Sequence, residues 1–286
     1  MMPALALHHF TIGDVDPLEL VSIAASCSCD AVCVFVSSPA DPAPGQAMPE
    51  LAFPAVTPDL LPAMKTRLRD EGVTVTNIEF FPLGADTRLE DLRPSLALGA
   101  ELGARLAVTH IYDSDTSRAV DTLARFGQLA AEYDLCLGLE FMGLSPACNS
   151  LEKAAQLVRA AAQDNIGIAV DALHLMRTGG TPEQVKALDP GLFAYAQLCD
   201  GPTLDDPASA LDQERYLAEA FDRLAPGKGV FPLMDLVNAL PSNTFFDVEV
   251  PSPTLAAQGV APTERARLAV EASRRLLAMA RARQSS

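Results

Sequence analysis

The sequence predicts a closed (β/α)8 TIM barrel, an α/β fold, on three observations. Short apolar runs alternate with helical patterns almost to the end of the chain. The runs lack the polar alternation of a sheet with one wet face, and so read as parallel strands covered by helices. Eight such runs are counted in 286 residues, close to the roughly 250 residues of a typical barrel. Eight parallel strands with intervening helices argue for closure over an open doubly wound sheet.

In chain order, ALALHHF (4–10) reads as the first strand and 17–28 as the helix after it. DAVCVFVSS (30–38) is the second strand, followed by a Pro-rich rim loop near 39–56. A helix from about 58 to 71 leads into VTVTNIEFFPLG, the third strand, and 87–103 reads as helix with Pro94 inside it. RLAVTHIYD (105–113) is the fourth strand, and SRAVDTLARFGQLAAEYD is amphipathic at helical spacing. The unit then repeats: strand 135–141, helix 149–163, strand 166–171, short helix 181–188, strand 193–198. Helices at 212–224 and 232–239 flank the turn APGKGV, strand 244–250 is the last, and TERARLAVEASRRLLAMARAR closes the chain as a helix. Residues 1–286 read as one barrel domain, because no linker separates two domain-like blocks.

Composition narrows the function. With 21 Lys plus Arg against 37 Asp plus Glu, the formal net charge of −16 opposes nucleic acid and anionic membranes. No run of 18 apolar residues predicts a membrane span, and the start lacks the basic region and long apolar core of a signal peptide. The six cysteines are expected to be reduced thiols of a cytoplasmic protein. No G-x-G-x-x-G follows the first strand, and P-loop and G-x-S-x-G motifs are absent.

Chemistry concentrates at strand ends. CLGLE ends in Glu140, IAVD in Asp171, FAYAQ in Gln197 and FFDVE in Glu249. A carboxylate at the end of a buried strand is costly unless it meets a partner or a metal. In a barrel these ends share the catalytic face, so the four converge on an oxygen-rich site suited to Mn2+ or Mg2+. His174, three residues beyond Asp171, shares its face if DALH makes a helical turn. His110 ends the fourth strand and points to the mouth. His8, in preference to His9, and Glu79 are further pocket candidates, and Arg177 and Arg215 are candidates for holding substrate oxygens. The glycines of PGKG allow backbone N–H groups to approach a pocket closely.

With these residues in place, the chain resembles the xylose-isomerase-like TIM-barrel superfamily of sugar isomerases and epimerases, related to inosose dehydratase, ketose epimerases and endonuclease IV. The matching pieces are GLEF, VDALHLMRTGG, AQLCDG, PGKGVFPL and VEVPSP, which lie within about 105–255. The resemblance implies Glu140, Asp171, the residue at 197 and Glu249 as metal ligands. Family epimerases usually carry His at the strand-seven position; Gln197 resembles the inosose dehydratases there. The nuclease branch binds several metals through many His, and this chain has four His in total.

The leading expectation is a divalent-metal-dependent isomerase or epimerase of a sugar, sugar phosphate or related hydroxy-ketone, working through an enediolate. Glu140 and Glu249 are the expected base and acid, with His174 or His110 orienting or protonating an oxygen. A metal-dependent dehydratase of an inosose-like or keto-polyol substrate is the alternative, and a non-catalytic small-molecule-binding barrel the third reading. A small polyhydroxy or keto compound is the expected partner, and a homo-oligomer through the barrel rims is compatible with the sequence.

Overall fold

The structure is a computed structural model that describes residues 5–36, 53–204 and 212–284. Eight parallel strands close in sequence order: β1 (Leu5–His8), β2 (Ala31–Phe35), β3 (Thr74–Leu83), β4 (Leu106–Ile111), β5 (Cys136–Glu140), β6 (Ile166–Asp171), β7 (Phe193–Leu198) and β8 (Phe246–Val248). Closure comes from Leu5 opposite Phe246 and Leu7 opposite Val248, which leaves the sheet no edge.

The covering helices of the first half are α1 (Pro17–Ser26), α2 (Leu61–Glu71), α3 (Arg93–Glu101), α4 (Thr116–Ala131) and α5 (Leu151–Ala161). In the second half come α6 (Ala172–Arg177), α7 (Pro182–Ala187), α8 (Gln213–Phe221), α9 (Leu233–Ala239), α10 (Pro253–Ala257) and α11 (Pro262–Gln284). Their starts are legible in the chain. Asp16, Asp115, Ser150, Thr181 and Asp212 each accept a backbone N–H of the first turn, the bond that satisfies an otherwise orphaned helical donor.

Strand alternation sorts the core into two parts. Leu7, Val34, Ile78, Ala107, Leu139 and Val170 join the large apolar shell between barrel and helices. Their neighbours point inward, where Leu106, Val108, Ala169 and Tyr195 form a small separate cluster. Gly138 belongs to this interior: a Cβ there would stand 3.0 Å from Tyr195 Cε1, so the glycine makes room for the ring. Above that plug the inward side chains turn polar, and the site begins.

Several boundaries differ from the sequence reading. The first strand stops at His8, because His8 Nδ1 accepts Phe10 N–H at 3.0 Å and the chain winds into the 3-10 turn His9–Ile12. The helix expected over 87–103 is a 3-10 turn, Leu89–Leu92, followed by α3, with Pro94 in the first helical turn where no N–H is needed. The last strand is three residues long, and the VPSP segment after it starts α10, which the sequence reading did not contain. Most of the Pro-rich rim loop, residues 37–52, lies outside the described residues.

Candidate active site

The carboxylates predicted from strand ends do converge. Glu140 and Glu249 line a cavity of about 90 Å³ at the C-terminal mouth of the barrel, together with Glu79, His110, His174 and Arg223. Asp171 and Gln197 lie beneath, fully buried. Donor atoms of Glu140, Asp171 and His174 fall within 4.8 Å of one another. Gln197 Nε2 donates to Glu249 Oε2, while Gln197 Oε1 is buried without a hydrogen-bond partner.

Asp171 is held by two neighbours. Its Oδ1 accepts His174 N–H at 2.9 Å and so caps α6, and its Oδ2 accepts from Arg223 Nη1 at 2.6 Å. DALH therefore does make a helical turn, and it carries His174 into the site. Arg223 Nη2 also stands 3.1 Å from Glu249 Oε1, and Nε donates to Ala220 O at 2.9 Å. One buried guanidinium thus bridges the ends of β6 and β8. Burial works against its charge, but Asp171 and Glu249 outweigh that and keep it ionised.

The sequence reading missed Arg223, which lies in the loop after α8. What carries it there is the PGKG turn. Asp200, just beyond β7, accepts Gly227 N–H at 2.9 Å and Gly229 N–H at 3.0 Å through Oδ2, and Phe231 N–H at 3.0 Å through Oδ1. A Cβ on Gly229 would stand 2.1 Å from Gly201 O, so only glycine lets the turn close. Two of the turn's N–H groups are spent on Asp200 and do not reach toward the cavity, which corrects the expectation drawn from those glycines. The Leu224–Asp200 backbone pairing and Arg223 N–H on Pro251 O fix the start of the loop.

The two arginines singled out in the sequence do not reach the cavity. Arg177 Nε is 2.5 Å from Glu219 Oε2, its Nη2 donates to Pro202 O at 2.7 Å, and its guanidinium lies 4.8 Å from the Phe231 ring centroid. Arg215 is on the exposed side of α8, 3.6 Å from Glu219 Oε1. Both brace the loops around the barrel through Glu219.

The imidazoles flank the carboxylates. His174 Nε2 is 3.4 Å from Glu140 Oε1 and His110 Nε2 is 3.3 Å from Glu140 Oε2. Burial pushes both histidines down to about 4, so they are neutral near pH 7. Tyr216 on α8, also missed, orients one of them. Its hydroxyl accepts Gly143 N–H at 2.7 Å and sits 2.6 Å from His174 Nδ1. A tyrosine at one position of an amphipathic helix gives no sign of this role in the sequence.

On the other side, His8 Nε2 stands 2.9 Å from Glu79 Oε2. Burial disfavours charge on His8, yet Glu79, Glu249 and Asp247 favour it enough to lift its pKa to about 9. Nδ1 nevertheless accepts Phe10 N–H, which needs the nitrogen's lone pair, so we read His8 as the neutral Nε2–H imidazole. Glu79 reaches the cavity beside Phe80 because β3 carries a register shift between Ile78 and Phe81. Below them Asn77 Nδ2 donates to Asp247 Oδ2 at 2.8 Å, and Tyr195 OH is 3.5 Å from Glu79 Oε1.

The carboxylates titrate apart. Burial, reinforced by Glu249 and Asp171, raises Glu140 well above the usual carboxylate range. Burial lifts Glu249 to about 7 although Arg223 pulls the other way. Burial opposes ionisation of Asp171 as well, but Arg223 and His174 win and hold it low. Two proton-holding acids around one fixed anion make a site that can exchange protons or take up a cation.

A closed parallel barrel with carboxylates at its strand ends is an enzyme-like scaffold with a polar floor. The family model described as xylose isomerase-like TIM barrel matches residues 21–278, and the chain belongs to that family. It is 31% identical over 132 residues to an inosose isomerase of Bacillus subtilis, a match covering 46% of this chain and 44% of that one. It is 30% identical over 113 residues to a 3-dehydroshikimate dehydratase of Pseudomonas aeruginosa, covering 40% of this chain and 17% of that one. The chain thus spans less than half the length of these curated relatives. Among solved structures, the IolI protein with a bound zinc atom superposes with a TM-score of 0.75 at 18% identity, over 98% of this chain and 99% of that one. No helix among the described residues is long and apolar enough to cross a membrane.

Proposed function

We propose that the protein is a divalent-metal-dependent isomerase or epimerase that removes a proton from the carbon next to a carbonyl in a hydroxy-ketone. The observation that carries this reading is that Glu140, Asp171 and His174 bring donor atoms within 4.8 Å of one another, beside Glu249 and a Gln197 that donates to it and whose amide oxygen is buried without a partner. That orphaned oxygen and the three carboxylates fit a hard cation, and an oxygen-rich donor set favours Mn2+ or Mg2+ over the zinc bound in IolI. When bound, the cation would supply Lewis-acid polarisation of adjacent substrate oxygens. Asp171, kept ionised by Arg223, would be the fixed ligand.

Glu140 and Glu249 come from strands three apart around the barrel and enter the cavity from different sides. The one that is ionised takes the carbon-bound proton, and the other, protonated, gives its own proton back to the substrate. Return to the opposite face of the same carbon gives an epimer; return to the neighbouring carbon shifts the carbonyl. The neutral imidazoles of His110 and His174 donate hydrogen bonds to a developing oxyanion without adding charge. Tyr216 sets the His174 ring. Loss of a β-hydroxyl from the same enediolate would give dehydration, and the similarity to a dehydratase supports that second reading. The six free cysteines support the expected cytoplasmic setting.

The test is solvent exchange in D2O. Manganese-loaded protein incubated with ketoses, inososes and ring-bearing hydroxy-ketones such as α-hydroxyacetophenone should place deuterium beside the carbonyl, and Glu140→Gln and Glu249→Gln should abolish it. Water loss with no isomer formed would replace the isomerase reading by the dehydratase one. Absence of both exchange and product across the panel would sink carbon-acid chemistry altogether.

A further inference from the structure

The walls of the cavity contrast with its floor. On one side Phe35 and Phe53 stack at 4.4 Å, and Phe10 meets Phe53 edge-on at 5.0 Å and Phe221 at 5.2 Å. Phe80, Tyr112, Met142 and Leu144 also line the cavity, with Leu217 of α8. The Tyr112 hydroxyl is directed to Met142 Sδ at 3.7 Å. Groups that donate or accept strong hydrogen bonds lie on the floor, among Glu79, His110, Glu140, His174, Arg223 and Glu249.

Among the described residues lining the cavity, Arg223 is the one permanent cation, and its Nη atoms rest on Asp171 and Glu249. Arg177 is tied to Glu219 and Pro202. A phosphate entering this mouth would meet phenyl faces and carboxylates and, among the described residues lining it, no free guanidinium or ammonium to pair with, which is a heavy desolvation cost. An open-chain polyol would strand its outer hydroxyls against the same faces. A ring with an apolar face would bury that face there while presenting two oxygens to the floor.

We propose that the substrate is a neutral α-hydroxy-ketone carrying an aromatic or other flat apolar ring, and is neither a free open-chain sugar nor a phosphorylated one. This rests on the carbon-acid reading above. At the barrel floor the hydroxyl donates to a carboxylate and the carbonyl oxygen accepts from the neutral imidazoles of His110 and His174, and the ring lies against the apolar lining formed by Phe10, Phe35, Phe53, Phe221, Phe80 and Tyr112.

Calorimetric titration of the manganese-loaded full chain with four small probes tests it. α-Hydroxyacetophenone, dihydroxyacetone and dihydroxyacetone phosphate share the reacting hydroxy-ketone, and acetophenone lacks the hydroxyl. The expected result is α-hydroxyacetophenone binding about tenfold or more tighter than dihydroxyacetone, with no gain from the phosphate. Phe10→Ala and, on the surface of α8, Leu217→Asn should bring the aryl and non-aryl affinities together. Equal affinity of the aryl and non-aryl hydroxy-ketones, or tightest binding by the phosphate, would overturn the proposal and leave the carbon-acid reading standing. Acetophenone binding as tightly as its hydroxy derivative would instead remove the hydroxy-ketone part of the reading on which the proposal rests.

Discussion

Strands β5 to β8 and strands β1 to β4 offer different chemistry to one cavity. From the first group come Glu140, Asp171, Gln197 and Glu249, tied together by Arg223. From the second come Phe35, Phe80 and His110, with a single carboxylate, Glu79, already facing His8. The first half concentrates charge that needs a counter-ion; the second provides shape and neutral hydrogen-bonding groups. Charge handling is therefore concentrated on one arc of the barrel, while apolar lining comes from the other arc and from the segments carrying Met142, Leu217 and Phe221, and substitutions in the two sets should fail in different ways.

The largest effect is expected at Arg223. Arg223→Met leaves Asp171 and Glu249 buried without their cation, which should cost about 3–5 kcal/mol of stability, measured by urea unfolding at pH 8. Added Mn2+ should recover part of that loss, since a cation in the site replaces the missing charge. Glu140→Gln should lower kcat/KM on the active substrate by about 10²–10⁴ while the melting temperature holds or rises, because a carboxyl that repels Glu249 has been removed. Tyr216→Phe removes the hydroxyl that links Gly143 N–H to His174, and a loss of about 10–100-fold in activity or metal affinity is expected. The smallest effect is a pH dependence that comes from within the β5–β8 arc. Glu249 is lifted from 4.5 to about 7, so in cation-free protein its stabilising contribution is complete below the unfolded value and is lost as pH rises through about 7. Glu140 acts in the same direction, and Asp171, held low, in the opposite one. A cation that binds the ionised forms should therefore raise the melting temperature more at pH 8 than at pH 5, as a thermal-shift series would show.

The arc that handles charge was largely legible in the sequence; on the other arc Glu79 and His110 were, but the aromatic wall was not. An apolar run ending in a carboxylate or an amide marks both a buried strand and the face on which it ends, so Glu140, Asp171, Gln197 and Glu249 could be placed together from the sequence. Arg223 sits in a loop, and its position depends on Asp200 gathering the PGKG backbone around itself. No periodicity records such a turn. Arg177 was a plausible oxygen-binding residue by chain position, but Glu219, 42 residues later, takes its guanidinium. The aromatic wall joins Phe10, Phe53 and Phe221 from distant segments, and each looks alone like an ordinary core residue. Periodicity locates elements and faces; contacts between loops come from pairings that a single chain does not display.

The claim that the β5–β8 arc forms the cation site is tested most directly by manganese uptake, followed as the loss of the free Mn2+ signal in electron paramagnetic resonance. One ion per chain is predicted. Glu249→Gln should weaken uptake on the order of 100-fold, whereas Glu79→Gln, on the other arc, should leave it close to that of the unsubstituted protein. No uptake by the unsubstituted chain, or uptake lost in Glu79→Gln and retained in Glu249→Gln, would contradict the account.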